Sequence, residues 1–414
     1  MNIAFYTYYE CCPSIGGTER TTSLVAKSLK DFYAYKIFSI YKKSVNKDIE
    51  RFQFEESFHY ISDNESSDGL LSYIRKNNIS VIINQGDFKF GLSLSMLLKN
   101  NHVNCSHIFA LHFAPGSFEE AHISLKNRIN RWKQTHSFVE GLKIIMFPIY
   151  HRILQNNYRS LYKKISLEAD KIVLLSNNYI QDWIHYAGIE TAKDMKNHIM
   201  TIPNGLAFNY YATESDILAK DYKVLIVARL DENQKKLTTA FNIWKEVSSM
   251  SGLESWELDV VGDGPDSQFY RKYIHDNKIP RVNFYGRQDP QLYYKRASIF
   301  LMTSEFEGFG MTLIEASQFG AVPIVFNTFG ATTDIIENGK NGFIIDVNNN
   351  KDYEDKLNLL IQNSRVRFNM AKDAVENARR YSLNTIAEKW QNLITPLYKV
   401  SKSNYTGAKD IQSD

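Results

Sequence analysis

Ten short apolar runs rich in Val, Ile, Phe and Tyr recur along this chain with helix-length intervals between them. In the first half they are "NIAFYTYY" (2–9), "YKIFSIY" (35–41), "SVIINQG" (80–86), "SHIFALHF" (106–113) and "KIVLLS" (171–176). The second half repeats the rhythm with "KVLIVARL" (223–230), "WELDVVGDG" (256–264), "VNFYGR" (282–287), "SIFLMTS" (298–304) and "VPIVFN" (322–327). Runs that stay apolar without strict alternation suit strands buried on both faces, and helices between them imply parallel βαβ units. A chain of 414 residues is long for one core, so the pattern predicts two doubly wound α/β domains meeting near "IPNGLAFNYYATESD" (202–216).

Such sheets bind ligands at the carboxyl ends of their strands. Three strand-to-helix turns there carry chemistry. In "SEFEGFGMTLIEASQFGAVPIV" (304–325), Gly308 and Gly310 let backbone approach a ligand, and a helix beginning near Met311 aims free N–H groups and its positive end at the same space, which suits a phosphate. Glu315 lies about one turn into that helix, where a carboxylate can accept two ribose hydroxyls. Glu307 precedes the glycines, at the place of whatever is attached beyond the phosphates. A blander alternative exists, because Thr312-x-x-Glu315 also spells a capping box; Glu305 reads as a solvated loop acid. In "ARLDENQKKL" (228–237), Arg229 at the strand end and Lys235 six residues on supply cations for a diphosphate leaving group. In "SIGGTER" (14–20), Gly16 and Gly17 precede a helix, again a phosphate-approach geometry; its alternative is a tight turn with Glu19 in the first helical turn.

Together these turns resemble those of the retaining glycosyltransferases of family 4. Glu307 and Glu315 match that family's E-x7-E motif within "EGFGMTLIEA", and "GGTER", "IPNG", "ARL", "VVGDGP", "NFYGR" and "NGKNGFIID" follow in the family's order. The resemblance implies the GT-B fold, two facing Rossmann-like domains with a C-terminal crossover helix. The expected division is 1–205 for the acceptor-side domain, 206–380 for the nucleotide-sugar domain, 381–400 for the crossover helix and 401–414 for a flexible tail. It also implies roles. Glu315 holds the ribose, Glu307 the transferred hexose, and Arg229 with Lys235 the diphosphate. Gly308, Phe309, Gly310, Met311 and Thr312 line the donor, Arg287 lies beside the base, and His112 of "ALHFAPG" approaches the sugar. Gly16 and Gly17 bring the first domain's backbone to the diphosphate. No metal or other cofactor is expected: the sequence contains no Asp-x-Asp, and fixed N–H groups with two cations can stabilise the departing anion. The resemblance puts the expected donor as UDP-linked and the reaction as a hexosyl transfer in surface polysaccharide or glycoconjugate synthesis. A sugar-nucleotide epimerase of related fold and a non-catalytic sugar-nucleotide-binding subunit are the rivals. A dinucleotide oxidoreductase is disfavoured because "GDGPDS" (262–267) lacks the third glycine of GxGxxG.

Two stretches depart from the family. "FGATTDII" (329–336) has Thr333 where proline is usual, and neither 58–69 nor 120–164 matches its pattern. The acceptor, expected to be a glycan or lipid-linked, is therefore not carried over. From 126 to 164 the chain sets Lys126, Arg128, Arg131, Lys133, Lys143, Arg152, Arg159, Lys163 and Lys164 against Glu140 alone. Trp132, Phe138, Phe147, Tyr150, Tyr158, Tyr162 and the run "IIMFPIY" (144–150) lie among them. A peripheral contact with an anionic membrane is expected there, the alternative being a solvated helical insertion with an apolar core face. A formal net charge of +3 lacks the basic balance of a nucleic-acid binder, and no nucleic-acid partner is expected. Cys11, Cys12 and Cys105 form no CxxC or His/Cys ligand spacing. With no signal-peptide pattern and no run of about 18 apolar residues, the expected place is the cytoplasm, at the inner face of the cell membrane. In "RRYSLNTIAEKWQNLITPLYK" (379–399), Ile386, Trp390 and Ile394 fall at helical spacing and predict a packing face.

Overall fold

The protein, described by a computed structural model, is resolved in detail over residues 1–46, 48–61, 64–116, 125, 129, 132, 138–189, 195 and 198–407. The chain divides into two compact units, one of residues 1–205 with 383–414 and one of residues 206–382.

The first unit is built on a sheet of seven parallel strands: β1 (Asn2–Tyr9), β2 (Lys36–Lys43), β3 (Ser57–His59), β4 (Val81–Asn84), β5 (Ser106–Ala110), β6 (Lys171–Leu174) and β7 (Ile199–Thr201). They lie in the order β3-β2-β1-β4-β5-β6-β7. In the second unit, β8 (Lys223–Val227), β9 (Glu257–Val261), β10 (Val282–Gly286), β11 (Ile299–Met302), β12 (Val322–Phe326) and β13 (Phe343–Ile345) form a six-stranded parallel sheet in the order β10-β9-β8-β11-β12-β13. Both orders reverse direction once, between β1 and β4 and between β8 and β11, and the crevice at such a reversal is where doubly wound sheets bind ligands.

Each of the ten apolar runs becomes a strand. The three others, β3, β7 and β13, have three residues each and sit at sheet edges, where so short a segment displays no period of its own. Side chains from both faces of the first sheet are buried. One core joins Ile3, Phe5, Val81, Ile83 and Ile108 to Ile386, Trp390 and Ile394 of the helix Leu383–Gly407. That helix therefore returns the end of the chain to the unit where it began. Its regular structure extends to Gly407, past residue 401, where the sequence reads as a polar tail. In one core of the second unit, Val224, Ile226, Leu258, Ile299 and Ile324 pack with Phe241 and Trp244 from a covering helix, and Leu225, Phe300 and Val325 are buried on the other face of the sheet.

Candidate donor site

Where β8 and β11 run side by side, with Val224 paired to Ile299 and Leu225 to Phe300, their carboxyl ends deliver two loops to one place. Lys235, Glu307 and Thr312 line a single small cavity there with Ala228, Thr303 and Ser304. Lys235 Nζ donates to Glu307 Oε1 at 2.5 Å, and both side chains are largely withdrawn from solvent, at 16% and 12% exposure. Each charge therefore sits where its partner's field is weakly screened. The sequence reading sends Lys235 to a diphosphate and Glu307 to a sugar; in the free protein they hold each other.

The loop carrying Lys235 is fixed from the β11 side. Thr303 Oγ1 donates to the carbonyls of both Lys235 and Lys236 at 3.1 Å, and the Glu305 amide donates to the Gln234 carbonyl at 2.7 Å. Glu305 itself is exposed, 3.9 Å from Lys236 across a weak ion pair. These bonds between distant loops, one set from the Thr303 side chain and one between the backbones of Glu305 and Gln234, have no signature in the sequence.

The helix after β11 spans Met311–Gln318, with Gly310 as its N-cap at φ 84°. A Cβ on Gly310 would stand 3.1 Å from the Phe329 ring, so both the left-handed backbone and the close approach favour glycine. The first bond closing this helix runs from the Leu313 amide to the Gly310 carbonyl, so the amides of Met311 and Thr312 precede it, as at any helix start. Phe309 is buried edge-on against Tyr381, 5.5 Å between centroids; its side chain is core, and only its backbone faces the donor question.

Glu315 does not cap the helix. With Gly310 as N-cap it is the fifth helical residue rather than the third, and its side chain is wholly buried. Its Oε2 accepts a hydrogen bond from the hydroxyl of Tyr294 at 3.0 Å. Tyr294 is equally buried, stacked on Phe319 at 5.6 Å. A ribose reaches this carboxylate only if the groups over it give way. The capping-box alternative is thus overturned by the position of the N-cap.

Arg229 does not end a strand: β8 stops at Val227, and Arg229 lies exposed on the following loop. Arg287 is likewise exposed, just past β10, two strands away from β8 in the sheet order. Between them, the turn after β9 is closed by packing. Gly262, at φ 139°, would place a Cβ 1.8 Å from the Ala228 carbonyl oxygen, and Gly264 one 2.4 Å from that of Leu230. These glycines admit the neighbouring backbone rather than a dinucleotide, a physical ground for setting aside the oxidoreductase reading.

In the first unit, the turn after β1 differs from its expected use. Gly16 is the N-cap of the helix Gly17–Tyr33, and a Cβ there would stand 2.7 Å from Glu19 Oε2. The space left by Gly16 is taken by the helix's own nearly buried acid, whose pKa burial raises. Gly17 is exposed, with open space beside it. His112 follows β5, and its Nε2 bonds Gln85 Oε1. Burial pushes its pKa down to about 4, so the imidazole is neutral at pH 7.

The basic segment resolves into the helices Phe138–Ile145 and Phe147–Glu168. Lys126, Arg128, Arg131 and Lys133 lie outside the described residues. In the longer helix the buried residues are Tyr162, Ile165 and Ser166, all near its C-terminal end. Tyr162 is a core residue packed on Trp183 at 4.7 Å, not a surface aromatic. Phe138, Leu142, Ile145, Ile149 and Ile153 are exposed, at successive steps of three or four residues. Arg152, Arg159, Lys163 and Lys164 are exposed beyond them. Among the described residues no helix is long and apolar enough to cross a membrane.

Residues 212–381 match the model of glycosyl transferases group 1, so the match lies within the second unit and contains Arg229, Lys235, Glu307 and Glu315. The amylovoran biosynthesis glycosyltransferase AmsD of Erwinia amylovora is 30% identical over 184 residues. That alignment covers 43% of this chain and spans 50% of AmsD. Two solved structures are similar along nearly the whole chain. The apo lipopolysaccharide outer core galactosyltransferase WaaB superposes with a TM-score of 0.65 at 20% identity, covering 96% of this chain and 99% of its own. Anabaena HepE in complex with UDP and glucose gives 0.68 at 16% identity, covering 96% and 100%. The fold is GT-B, built of two Rossmann-like α/β domains.

Proposed function

We propose that this protein is a retaining, metal-independent glycosyltransferase that moves a hexose-type sugar from a nucleoside diphosphate donor, UDP-linked, to a glycan or lipid-linked acceptor in surface polysaccharide or glycoconjugate synthesis. The observation that carries this reading is the cavity at the β8–β11 reversal, where Lys235, Glu307 and the start of the helix Met311–Gln318 converge. Similar proteins support it: HepE was solved with UDP and glucose, WaaB is a galactosyltransferase and AmsD belongs to amylovoran biosynthesis.

In this reading the diphosphate takes Lys235 from Glu307 and receives the Met311 and Thr312 amides and the exposed Arg229. Glu307, released from its cation, accepts hydroxyls of the hexose. Glu315 takes the ribose, Arg287 lies beside the base, and in the first unit His112 is assigned to the sugar and the backbone at Gly16 and Gly17 to the diphosphate. The bond from anomeric carbon to phosphate oxygen breaks as the acceptor oxygen bonds the same face of that carbon. The acceptor's proton passes to the leaving phosphate, whose charge the cations and amides stabilise. No carboxylate nucleophile is required.

Thermal unfolding with UDP, GDP and ADP, free and sugar-linked, tests the donor assignment, since a ligand of the folded state raises apparent stability by mass action. Selective stabilisation by UDP and one UDP-sugar, followed by sugar transfer, is the expected result. No stabilisation at millimolar ligand overturns the reading, and stabilisation without transfer to any acceptor favours the non-catalytic subunit.

The exposed stripe from Phe138 to Ile153, with its neighbouring cations, supports the second element of the proposal, a peripheral contact at the inner face of the cell membrane. Flotation with anionic vesicles is expected to carry the protein, and Ile145→Glu with Ile149→Glu to release it by more than about tenfold, two desolvated charges being costly in an interface. Absence of the wild-type protein from the vesicle fraction sinks the contact.

A further inference from the structure

We propose that the second unit carries an anion site separate from the donor turns, at the amino ends of β8 and β11, which takes a small soluble phosphate monoester with an apolar body onto Arg367 and Lys220. The place is the sheet edge opposite those turns. Lys220 and Tyr222 precede β8 and Ser298 precedes β11, and with Ser364 and Arg367 of the helix Ser364–Ala378 they line a cavity of about 200 Å³. That is several times the space one water needs. Ile217, Leu218, Phe368 and Ala371 supply its apolar wall.

Two cations meet there, and among the described residues no Asp or Glu lines the cavity. Lys220 Nζ gives its three protons to main-chain carbonyls, those of Tyr294, Lys295 and Ala297 at 2.9, 3.2 and 2.7 Å. Arg367 lies over the Trp256 ring, 5.1 Å from its centroid, and its Nη1 donates to the carbonyls of Leu360 and Ile361. Its Nε and Nη2 make no hydrogen bond among the described residues. Carbonyl dipoles are not a counter-charge, and burial lowers the pKa of both groups, that of Lys220 to about 7. Asp216 and Asp221 act to raise Lys220, but both are engaged elsewhere: Asp216 accepts from Thr213 in a capping box, and Asp221 accepts from Arg296 at 2.7 Å. Positive charge withdrawn from water without an opposite charge is costly, and an anion between the two cations removes that cost. Nε with Nη2 of an arginine is a fork that fits two phosphate oxygens, and Lys220 adds its field. Two positive charges match a phosphate monoester, which carries about −1.5 to −2 at pH 7. The apolar wall takes the organic part, and a cavity of this size has no room for paired acyl chains, which sets aside a lipid headgroup.

The test is titration calorimetry of the full chain with phenyl phosphate, beside inorganic phosphate. Phenyl phosphate is expected to bind, and inorganic phosphate to bind at least about fivefold more weakly because it leaves the apolar wall uncovered. Arg367→Gln should weaken phenyl phosphate about 10- to 100-fold, the loss of hydrogen bonds to a charged group. Since Arg367 also holds two carbonyls, Leu218→Glu is an independent check. Leu218 is 73% exposed, so its replacement leaves the core intact, and a like charge at the wall should weaken binding about tenfold at an unchanged Tm. Lys235→Met, in the donor turns, should keep the affinity within about twofold, and none of these outcomes depends on sugar transfer. No binding of phenyl phosphate at millimolar concentration, equal affinity for the two phosphates, or wild-type affinity in Leu218→Glu overturns the site. A loss in Lys235→Met larger than that in the cavity variants places the phosphate in the donor turns and overturns it as well.

Discussion

Replacing Lys235 with methionine is expected to lower kcat by about 10²–10³-fold, the loss typical of removing one preorganised stabiliser of transition-state charge. The variant also leaves Glu307 without the cation it now holds at 2.5 Å. An acid only 12% exposed then carries its charge with little solvation, which is expected to destabilise the fold by about 1–3 kcal/mol. The two effects separate in the double variant Lys235→Met with Glu307→Gln. Removing both charges should recover most of the melting temperature and none of the rate. Calorimetric Tm and steady-state turnover on the donor chosen by thermal stabilisation check this pair of outcomes. A kcat within about threefold of wild type in Lys235→Met would show that the pair serves stability only.

Glu315→Ala is expected to weaken binding of the free nucleotide about 10- to 100-fold, as for losing hydrogen bonds to a charged group. Burial makes the change costly in another way. The carboxylate is enclosed and bonded to the equally buried Tyr294 hydroxyl, so truncation removes that bond, leaves a cavity and lowers stability as well. Tyr294→Phe divides the two consequences, because it removes the bond and no carboxylate; nucleotide affinity should fall by only a few-fold. Glu307→Ala should spare free nucleotide and lose discrimination of the sugar. Titration calorimetry of the three variants at equal folded fraction is the measurement. If Glu315→Ala lowers Tm but leaves the nucleotide Kd unchanged, the acid is a core anchor of the helix after β11.

The paired acids, the glycine turns and the ten long strands were all legible in the linear chain, since each depends on neighbours within a few residues. Apolar runs separated by helical intervals admit few arrangements other than parallel sheets, and Gly310 announces the start of its helix by the backbone angle it allows. What those turns enclose depended on strand order. Lys235 meets Glu307 across 72 positions only because β11 inserts beside β8 at the point where the sheet reverses. Tyr294 becomes the partner of Glu315 because the helix Gln291–Arg296 and the helix Met311–Gln318 bury their facing residues together. Gly16, equally suited in sequence to a phosphate, instead makes room for Glu19, and Gly262 for the carbonyl of Ala228. Sequence alone thus determined the two α/β sheets and the turns at which chemistry can occur, because backbone preference and hydrophobic period are local. Which glycine admits a ligand and which admits another part of the chain, and which acid is met by a cation, a hydroxyl or solvent, was decided by tertiary packing, because those partners are distant in sequence and become neighbours only when the sheet is assembled.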